Sequence, residues 1–187
     1  AQQNETAWFK DVTATHVPLD GREHALDVVF LDVDGDRDLD AILALESEPN
    51  RLYLNDGKAH FSKAGDDIIP LSSIGMVTTA SFTDIDNDGW KDLIVAGEWL
   101  PVKIFKNNKG KFAVTDILNS TGLWQTVYTA DINGDGYSDI LAGNWGWNNK
   151  FWSGKNGPLK LYIKDFDKNG TTEQVMAYTI NGKEYTF

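Results

Sequence analysis

Residues 80–98 read ASFTDIDNDGWKDLIVAGE, in which an acidic loop lies between two apolar segments. The window 84–92 has Asp at its first, third, fifth and ninth positions and Gly at its sixth. Both flanks contain the apolar and β-branched residues that favour strands. The stretch therefore predicts a strand, a tight acidic loop and a second strand.

The same pattern occurs three more times along the chain. DVDGDRDLD begins at residue 32, DINGDGYSD at residue 131 and DFDKNGTTE at residue 165, each with acid or amide at the first, third and fifth positions. The ninth position is acidic in all four windows, which together hold more than half of the 28 Asp and Glu residues. A repeat of this kind predicts an array of similar structural units.

The segments that follow the first two windows predict a second hairpin in each unit. RLYLNDGKAHF and VKIFKNNKGKF alternate apolar residues around NDG or NNKG, residue types that favour tight turns. Four strands in about 45 residues is the size of a propeller blade, whose sheet is buried against neighbouring blades. The sequence thus predicts an all-β fold of four-stranded antiparallel propeller blades, with Tyr53, Phe105 and Tyr162 in the core.

We expect one partial propeller domain over residues 1–187, with blades at about 24–66, 77–117, 125–158 and 159–187. Only WNNKFWSGKNGP separates the third unit from the fourth, which predicts an irregular third blade. The fourth unit is shorter than a full blade. Because closed propellers have about four to eight blades, we expect a segment of a larger propeller.

The loops predict binding of a hard divalent cation. Carboxylates two residues apart in a tight loop repel each other unless a cation neutralises them. Calcium accepts about six to eight oxygen ligands in flexible geometry. Magnesium demands a tighter octahedron, and transition metals prefer nitrogen or sulfur ligands, which the loops lack. We therefore expect up to four calcium ions, most strongly at 84–92 and 131–139.

The predicted calcium ligands occupy positions one, three, five, seven and nine of the windows, with the backbone carbonyl acting at position seven. They are Asp32, Asp34, Asp36, Asp38, Asp40, Asp84, Asp86, Asp88, Trp90, Asp92, Asp131, Asn133, Asp135, Tyr137, Asp139, Asp165, Asp167, Asn169, Thr171 and Glu173. Arg37 occupies position six of the first window, where the other windows have glycine. Its charge and its restricted backbone predict weaker calcium binding there.

An EF-hand is the alternative interpretation of this spacing. It requires a Glu at position twelve and a helix on each side of the loop. Position twelve here is Leu43, Val95, Ala142 or Met176, and the flanks favour strands. The EF-hand interpretation is therefore rejected.

The DxDxDGxxD loops, followed by DLIVAGE and DILAGN, resemble the FG-GAP or VCBS repeats of bacterial secreted proteins. They also resemble the calcium-binding blades of integrin α-subunit propellers. The resemblance covers residues 24–187, and the closing YIKDFDKNGTTEQVMAYTINGKEY is similar to bacterial VCBS-type members in particular. It implies a β-propeller with calcium in the hairpin loops and an extracellular, cell-surface or periplasmic location.

The composition opposes several other functions. The chain has 17 basic and 28 acidic residues and a formal charge of −11, which disfavours nucleic acid as a partner. It has no cysteine, and no apolar run approaches the ~20 residues that span a bilayer. It has no GxSxG elbow, phosphate-binding glycine loop or zinc-helix motif. The sequence therefore favours a non-enzymatic role but does not exclude an enzyme.

Two functions stay open from the sequence. The first is a calcium-stabilised segment of an extracellular binding or adhesion protein, with a protein or glycan ligand at its loops. The second is part of a carbohydrate-active enzyme or a glycan-binding module. The candidate glycan contacts are Trp145, Trp147 and Trp152, which lie among asparagines that suit sugar hydroxyls. Packing between blades is the other interpretation of these rings.

Overall fold

The computed structural model describes residues 10–18, 25–45, 48–146 and 159–186. These residues are mostly antiparallel β-structure, which confirms the all-β prediction. The helix α1, Thr13–His16, is a single turn. Within the described ranges, no helix has both the length and the apolar character needed to cross a membrane. The chain divides into two compact units, Ala1–Asn144 and Trp145–Phe187.

The first sheet is a four-stranded antiparallel blade whose strands follow one another in sequence order. Its strands are β1 (Ala25–Leu31), β2 (Asp40–Leu45), β3 (Arg51–Asn55) and β4 (Phe61–Lys63). The first acidic window connects β1 to β2, and the NDG turn connects β3 to β4. The predicted pair of hairpins is therefore present in this blade.

The second sheet has six strands and contains a complete blade together with one further hairpin. The strands are β5 (Met76–Thr83), β6 (Asp92–Leu100), β7 (Lys103–Asn107), β8 (Phe112–Asp116), β9 (Gly122–Ala130) and β10 (Asp139–Asn144). β5 to β8 repeat the order of the first blade, with the second acidic window between β5 and β6. β9 and β10 form a hairpin around the third window.

The long strand β6 joins the second blade to the hairpin of β9 and β10. Most of β6 pairs with β5, but its end pairs with β9 through Glu98 and Leu123 and through Leu100 and Gly122. The register shifts between Glu98 and Leu100, and Trp99 between them has a positive φ of 62°. Such a bulge redirects a strand. The sequence did not predict this pairing, because the repeat pattern describes one unit at a time.

The position of β6 between two apolar clusters explains why its sequence contains the uninterrupted apolar run LIVA. Successive residues of a strand point to opposite faces of the sheet. Leu93 and Val95 belong to the core shared by the first two blades, whereas Ile94 and Ala96 pack with Val127 in a second cluster. Both faces of this strand are therefore covered within the first unit.

The core between the first two blades draws on strands and connecting segments from residue 31 to residue 105. Its buried members are Leu31, Val33, Ile42, Ala44, Leu52, Ile69, Leu71, Val77, Leu93, Val95 and Phe105. Tyr53 and Phe105 are buried as predicted. The same prediction was wrong for Tyr162, which is 39% exposed. Its hydroxyl donates a hydrogen bond of 2.7 Å to Glu184, so its polar end is used at the surface.

The second unit contains a three-stranded antiparallel sheet. Its strands are β11 (Lys160–Lys164), β12 (Glu173–Ile180) and β13 (Lys183–Thr186). The fourth acidic window connects β11 to β12. All four windows thus occupy the same place in the topology, between two antiparallel neighbouring strands.

The shared core predicts different effects for two Leu→Ala substitutions. Leu93→Ala removes a fully buried side chain, and we expect the free energy of unfolding to fall by about 2–5 kcal/mol. Leu118→Ala is the matched control, because Leu118 is 86% exposed and should change stability by less than about 0.5 kcal/mol. Urea unfolding measures both. Equal effects would contradict the placement of the core.

Candidate metal centres

The four acidic windows share one hydrogen-bonding pattern that begins at the first carboxylate. In each loop the backbone N–H of the sixth residue donates to the side chain of the first residue. The pairs are Arg37 and Asp32 at 3.1 Å, Gly89 and Asp84 at 2.8 Å, Gly136 and Asp131 at 2.9 Å, and Gly170 and Asp165 at 2.9 Å. Hydrogen bonds to an ionised carboxylate are stronger than neutral ones, so this contact fixes the turn.

The ninth side chain closes each loop from the other end. It accepts the backbone N–H of the second residue in all four copies. The pairs are Val33 and Asp40 at 2.8 Å, Ile85 and Asp92 at 3.0 Å, Ile132 and Asp139 at 3.0 Å, and Phe166 and Glu173 at 2.7 Å. Glu173 thus makes the same contact as the three aspartates despite its longer side chain.

The fifth side chain holds the peptide of the seventh residue. It accepts the backbone N–H of that residue in each loop. The pairs are Asp38 and Asp36 at 3.0 Å, Trp90 and Asp88 at 2.8 Å, Tyr137 and Asp135 at 2.9 Å, and Thr171 and Asn169 at 2.8 Å. The residues that were predicted to offer a carbonyl ligand are therefore anchored in equivalent positions.

In the two complete blades, an asparagine connects the loop to the third strand. The second oxygen of Asp40 accepts the N–H of Asn55 at 2.9 Å, and that of Asp92 accepts the N–H of Asn107 at 2.8 Å. The amide nitrogen of Asn107 then donates to the carbonyl of Lys91 at 3.1 Å. Asp40 and Asp92 are both buried. Each ninth carboxylate therefore binds two segments of its own blade.

Sequence reasoning missed the role of these asparagines. Asn55 and Asn107 each stand 15 residues after the ninth carboxylate of their loop. This equal offset was a usable signal, but both residues lie in turn motifs and were interpreted only as turn formers. Their side chains in fact cap the peptide at position eight of the acidic loop.

Three of the four loops bring carboxylate oxygens within 4.8 Å of one another. The groups are Asp32, Asp34 and Asp36; Asp84, Asp86 and Asp92; and Asp165, Asp167 and Glu173. In the remaining loop, Asn133 replaces the third-position carboxylate, and its amide donates to Asp135 at 3.0 Å. Like charges at this separation are unfavourable without a counter-ion. These clusters supply only oxygen donors, which suits a hard cation.

In the second loop, a lysine provides part of the counter-charge. The ammonium of Lys106 contacts one oxygen of Asp86, which lowers the pKa of that carboxyl and raises the pKa of the lysine. The other oxygen of Asp86 is buried and has no hydrogen-bond partner within the described residues. A buried oxygen without a donor is unfavourable, so this atom is available for a cation.

The first loop also has an unpartnered oxygen, and no lysine of the described ranges is seen to pair with its carboxylates. One oxygen of Asp38 is buried without a hydrogen bond in the described part of the chain. Burial raises the pKa of Asp38, and the negative charges of Asp36, Asp40 and Asp34 add to this effect. Burial also raises the pKa of Asp40, although the N–H groups of Asn55 and Val33 oppose the shift. This loop is therefore electrostatically less favourable than the second.

Arg37 adopts the backbone conformation that glycine has in the other loops. Its φ is 78°, compared with 92° for Gly89, 87° for Gly136 and 92° for Gly170. This left-handed conformation is what directs the sixth N–H toward the first carboxylate. A non-glycine residue there is strained by roughly 1–2 kcal/mol. The first loop therefore keeps the common geometry at a cost in stability.

The structure describes one of the three candidate glycan-binding tryptophans. Trp145 is 43% exposed, whereas Trp147 and Trp152 lie outside the described residues.

Trp90 was predicted to bind calcium through its backbone carbonyl, and its indole ring lies against the first loop. A Cβ atom at Gly35 would lie 3.2 Å from that ring. The second loop thus contacts the first through this aromatic ring.

Comparison with known families agrees with the repeated loops. A family model described as FG-GAP-like repeat matches residues 32–95 and, in a second copy, residues 84–142. Together the two matches cover more than half of the 187 residues. No curated protein shows a significant match to the chain.

The strain at the sixth position predicts opposite effects for two substitutions. Arg37→Gly should raise the free energy of unfolding by about 1–2 kcal/mol, because glycine adopts a positive φ without penalty. Gly89→Ala should lower it by about 1 kcal/mol, since its Cβ would meet nothing within 4 Å and only the backbone is affected. Urea unfolding in the presence of chelator measures both. A destabilised Arg37→Gly variant would contradict the strain.

The asparagine contact predicts unequal effects for two adjacent residues. Asn107→Ala leaves the Lys91 carbonyl and the Gly110 N–H without their partner, which should lower the free energy of unfolding by about 1–3 kcal/mol. Asn108→Ala is the matched control, because Asn108 is exposed and should change stability by less than about 0.5 kcal/mol. Thermal melting distinguishes the two. Similar melting temperatures of the two variants would show that the Asn107 side chain does not stabilise the loop.

Proposed function

Because the chain belongs to the family of FG-GAP-like repeat proteins, we propose that it is a calcium-binding β-propeller segment of an extracellular or cell-surface binding or adhesion protein. Calcium serves here as a structural ion. The observation that carries the proposal is the recurrence of one carboxylate and N–H arrangement in four loops, three of which cluster their acidic oxygens within 4.8 Å.

The second loop brings three carboxylates together around a buried oxygen that has no donor within the described residues. Asp84, Asp86 and Asp92 would hold the ion. The ion would coordinate the Asp86 oxygen that has no hydrogen-bond donor within the described residues. Asp92 accepts one N–H at each oxygen, but a carboxylate oxygen has two lone pairs, so coordination stays open. The ammonium of Lys106 contacts the other Asp86 oxygen and makes the net charge of the site less negative. A divalent ion supplies the remaining neutralisation.

The position of the ligands supports a structural role. The loop joins the end of β5 to the start of β6, and Asp92 connects it to Asn107 at the end of β7. An ion bound by the same carboxylates would stabilise the ends of three strands together. Because it binds the native loop and not the unfolded chain, its binding energy adds to the stability of the fold.

The chemistry of such loops also supports an extracellular setting. Calcium sites of extracellular modules bind at about 10⁻⁴–10⁻³ M, a range that suits the medium outside cells. The formal charge of −11 disfavours nucleic acid and leaves proteins or glycans as partners. The family match and the loop geometry are compatible with a role in adhesion.

A glycan-binding module, alone or within a carbohydrate-active enzyme, is the second candidate. It is favoured by Trp145, whose 43% exposure is high for a large aromatic residue beside asparagines. Trp145→Ala should then abolish binding on a glycan array while leaving the melting temperature unchanged. Depolymerisation of a polysaccharide by the wild-type chain would assign it to the enzymes. Absence of glycan binding by the wild-type chain would remove this candidate, and unchanged binding in Trp145→Ala would exclude Trp145 as the contact.

Calcium should stabilise the chelator-treated protein. At ~10 mM calcium, each site with a dissociation constant of about 10⁻⁴–10⁻³ M adds about 1.4–2.7 kcal/mol. Calorimetric titration and thermal melting measure the binding and the stabilisation. Equal melting temperatures in calcium and in chelator would contradict the proposal.

Asp84→Asn should remove one binding event and part of the calcium-dependent gain. Asp116→Asn is the matched control, because Asp116 is an exposed carboxylate outside the loops that pairs with Lys103. It should bind as many ions as the wild type. If Asp84→Asn also bound the full number, the second loop would not be a calcium site.

A further inference from the structure

A cleft of about 580 Å³ lies between the first and second acidic loops, within the first unit. Its volume falls in the range of about 300–1,000 Å³ that is typical of ligand sites. Most of the side chains that line it are apolar or cationic, namely Phe30, Leu31, Leu39, Phe82, Trp90, Arg37 and Lys91. The one carboxylate of the described lining is Asp32, so cations outnumber anions there. The cleft thus differs from the acidic surface around it.

The apolar wall of the cleft is open to solvent. Phe30 and Leu39 are 53% and 56% exposed, and the partly buried rings of Phe82 and Trp90 line the same space. Gly35 contributes by lacking a side chain, because a Cβ atom there would press against the Trp90 indole. A contiguous apolar surface of this kind next to charged loops is a feature of binding sites.

The polar side chains of this cleft that make no hydrogen bond within the described residues are all donors. Arg37 and Lys91 make no side-chain hydrogen bond or ion pair within the described residues, and the Trp90 indole N–H also lacks a partner there. The side-chain acceptors of the lining, Asp32 and Asn107, already accept hydrogen bonds but keep lone pairs for further contacts. Asp32 accepts the N–H groups of Gly35 and Arg37, and the Asn107 oxygen accepts that of Gly110.

This set of groups selects an anionic ligand over a neutral sugar. Arg37 and Lys91 have no ion-pair partner within the described residues, so a neutral sugar would leave both positive charges uncompensated. A carboxylate only accepts, and a guanidinium binds it with two parallel hydrogen bonds. The exposed apolar wall favours a ligand that also carries a large apolar group.

The conformation of Arg37 supports a use for its guanidinium. The other three loops have glycine at this position, and Arg37 is held at a φ of 78°. Strained residues persist where the surrounding structure enforces them, often at functional sites. Here the strain places a cation in the lining of the cleft.

We propose that this cleft binds an acidic peptide segment in which a large apolar side chain stands beside Asp or Glu. Arg37 and Lys91 bind the carboxylate, and Phe30, Leu39 and Trp90 contact the apolar side chain. The inference rests on the proposed function as a binding protein and specifies the chemistry of its partner. Since the loop carboxylates repel an anion, calcium in the neighbouring loops strengthens the binding.

The test is an amide NMR titration of the full chain in ~10 mM calcium with the peptide acetyl-Gly-Leu-Phe-Asp-Gly-amide. We expect saturable shifts in the first and second loops. Replacing the Asp of the peptide by Asn should weaken binding by about tenfold or more, because a charge-assisted contact is lost. Equal binding of the two peptides would overturn the proposal.

Arg37→Gly removes the guanidinium while restoring the residue that the other loops use. This substitution should weaken binding of the acidic peptide by about tenfold or more without loss of folding. Leu39→Ala, at an exposed site, should also weaken peptide binding, because it removes part of the apolar wall of the cleft. Lys168→Gly is the matched control, because it removes another cation at positive φ, 62°, from the fourth loop. Binding that survives Arg37→Gly would overturn the proposal.

Two further results separate this inference from the proposed function. Calorimetric calcium binding without any peptide binding would overturn the inference alone. Peptide binding that depends on Arg37, in a chain that binds no calcium, would overturn the calcium proposal alone. Binding of an oligogalacturonate in the cleft in place of the peptide would overturn the assigned class of ligand.

Discussion

A backbone N–H that points at the first carboxylate of each loop is the contact on which the rest of the structure depends. It fixes the sixth residue in a left-handed conformation, which turns the chain so that the ninth carboxylate reaches back to the second N–H. The two neighbouring strands then leave the loop in register. Where glycine is missing, as at Arg37, the same contact is kept and the backbone bears the strain.

Equal geometry does not give the loops equal electrostatics. In the second loop, Lys106 lowers the pKa of Asp86, whereas in the first loop burial and neighbouring carboxylates raise the pKa of Asp38. Each of these aspartates nevertheless has one buried oxygen that accepts no hydrogen bond from the residues that the structure describes. The unpartnered oxygen lies at the seventh position of the first loop and at the third position of the second, and the charges around it differ. Differences in cation affinity between them would follow from Lys106 and Arg37 rather than from loop shape.

The sequence predicted the features that depend on local spacing. Carboxylates two residues apart and apolar flanks identified the loops and the strands beside them, and Tyr53 and Phe105 were correctly assigned to the core. Features that depend on distant segments were missed. The pairing of β6 with β9 requires a bulge at Trp99, and the role of Asn107 requires a fold that brings β7 to the acidic loop. The assignment of Tyr162 to the core was wrong, because alternation shows which residues share a face of the sheet but not whether that face is covered.

The contacts of the ninth carboxylate have a consequence for how the chain acquires its shape during synthesis. Asp92 reaches back 7 residues to Ile85 and forward 15 residues to Asn107, and Asp40 does the same within the first blade. Contacts of such short sequence separation form quickly, because little chain entropy is lost in closing the intervening segment. A blade leaving a ribosome can therefore close its loop and align three strands before the next blade has been translated. Vectorial synthesis and repeat architecture thus favour the same order of events, in which the blade forms first and the core between blades follows.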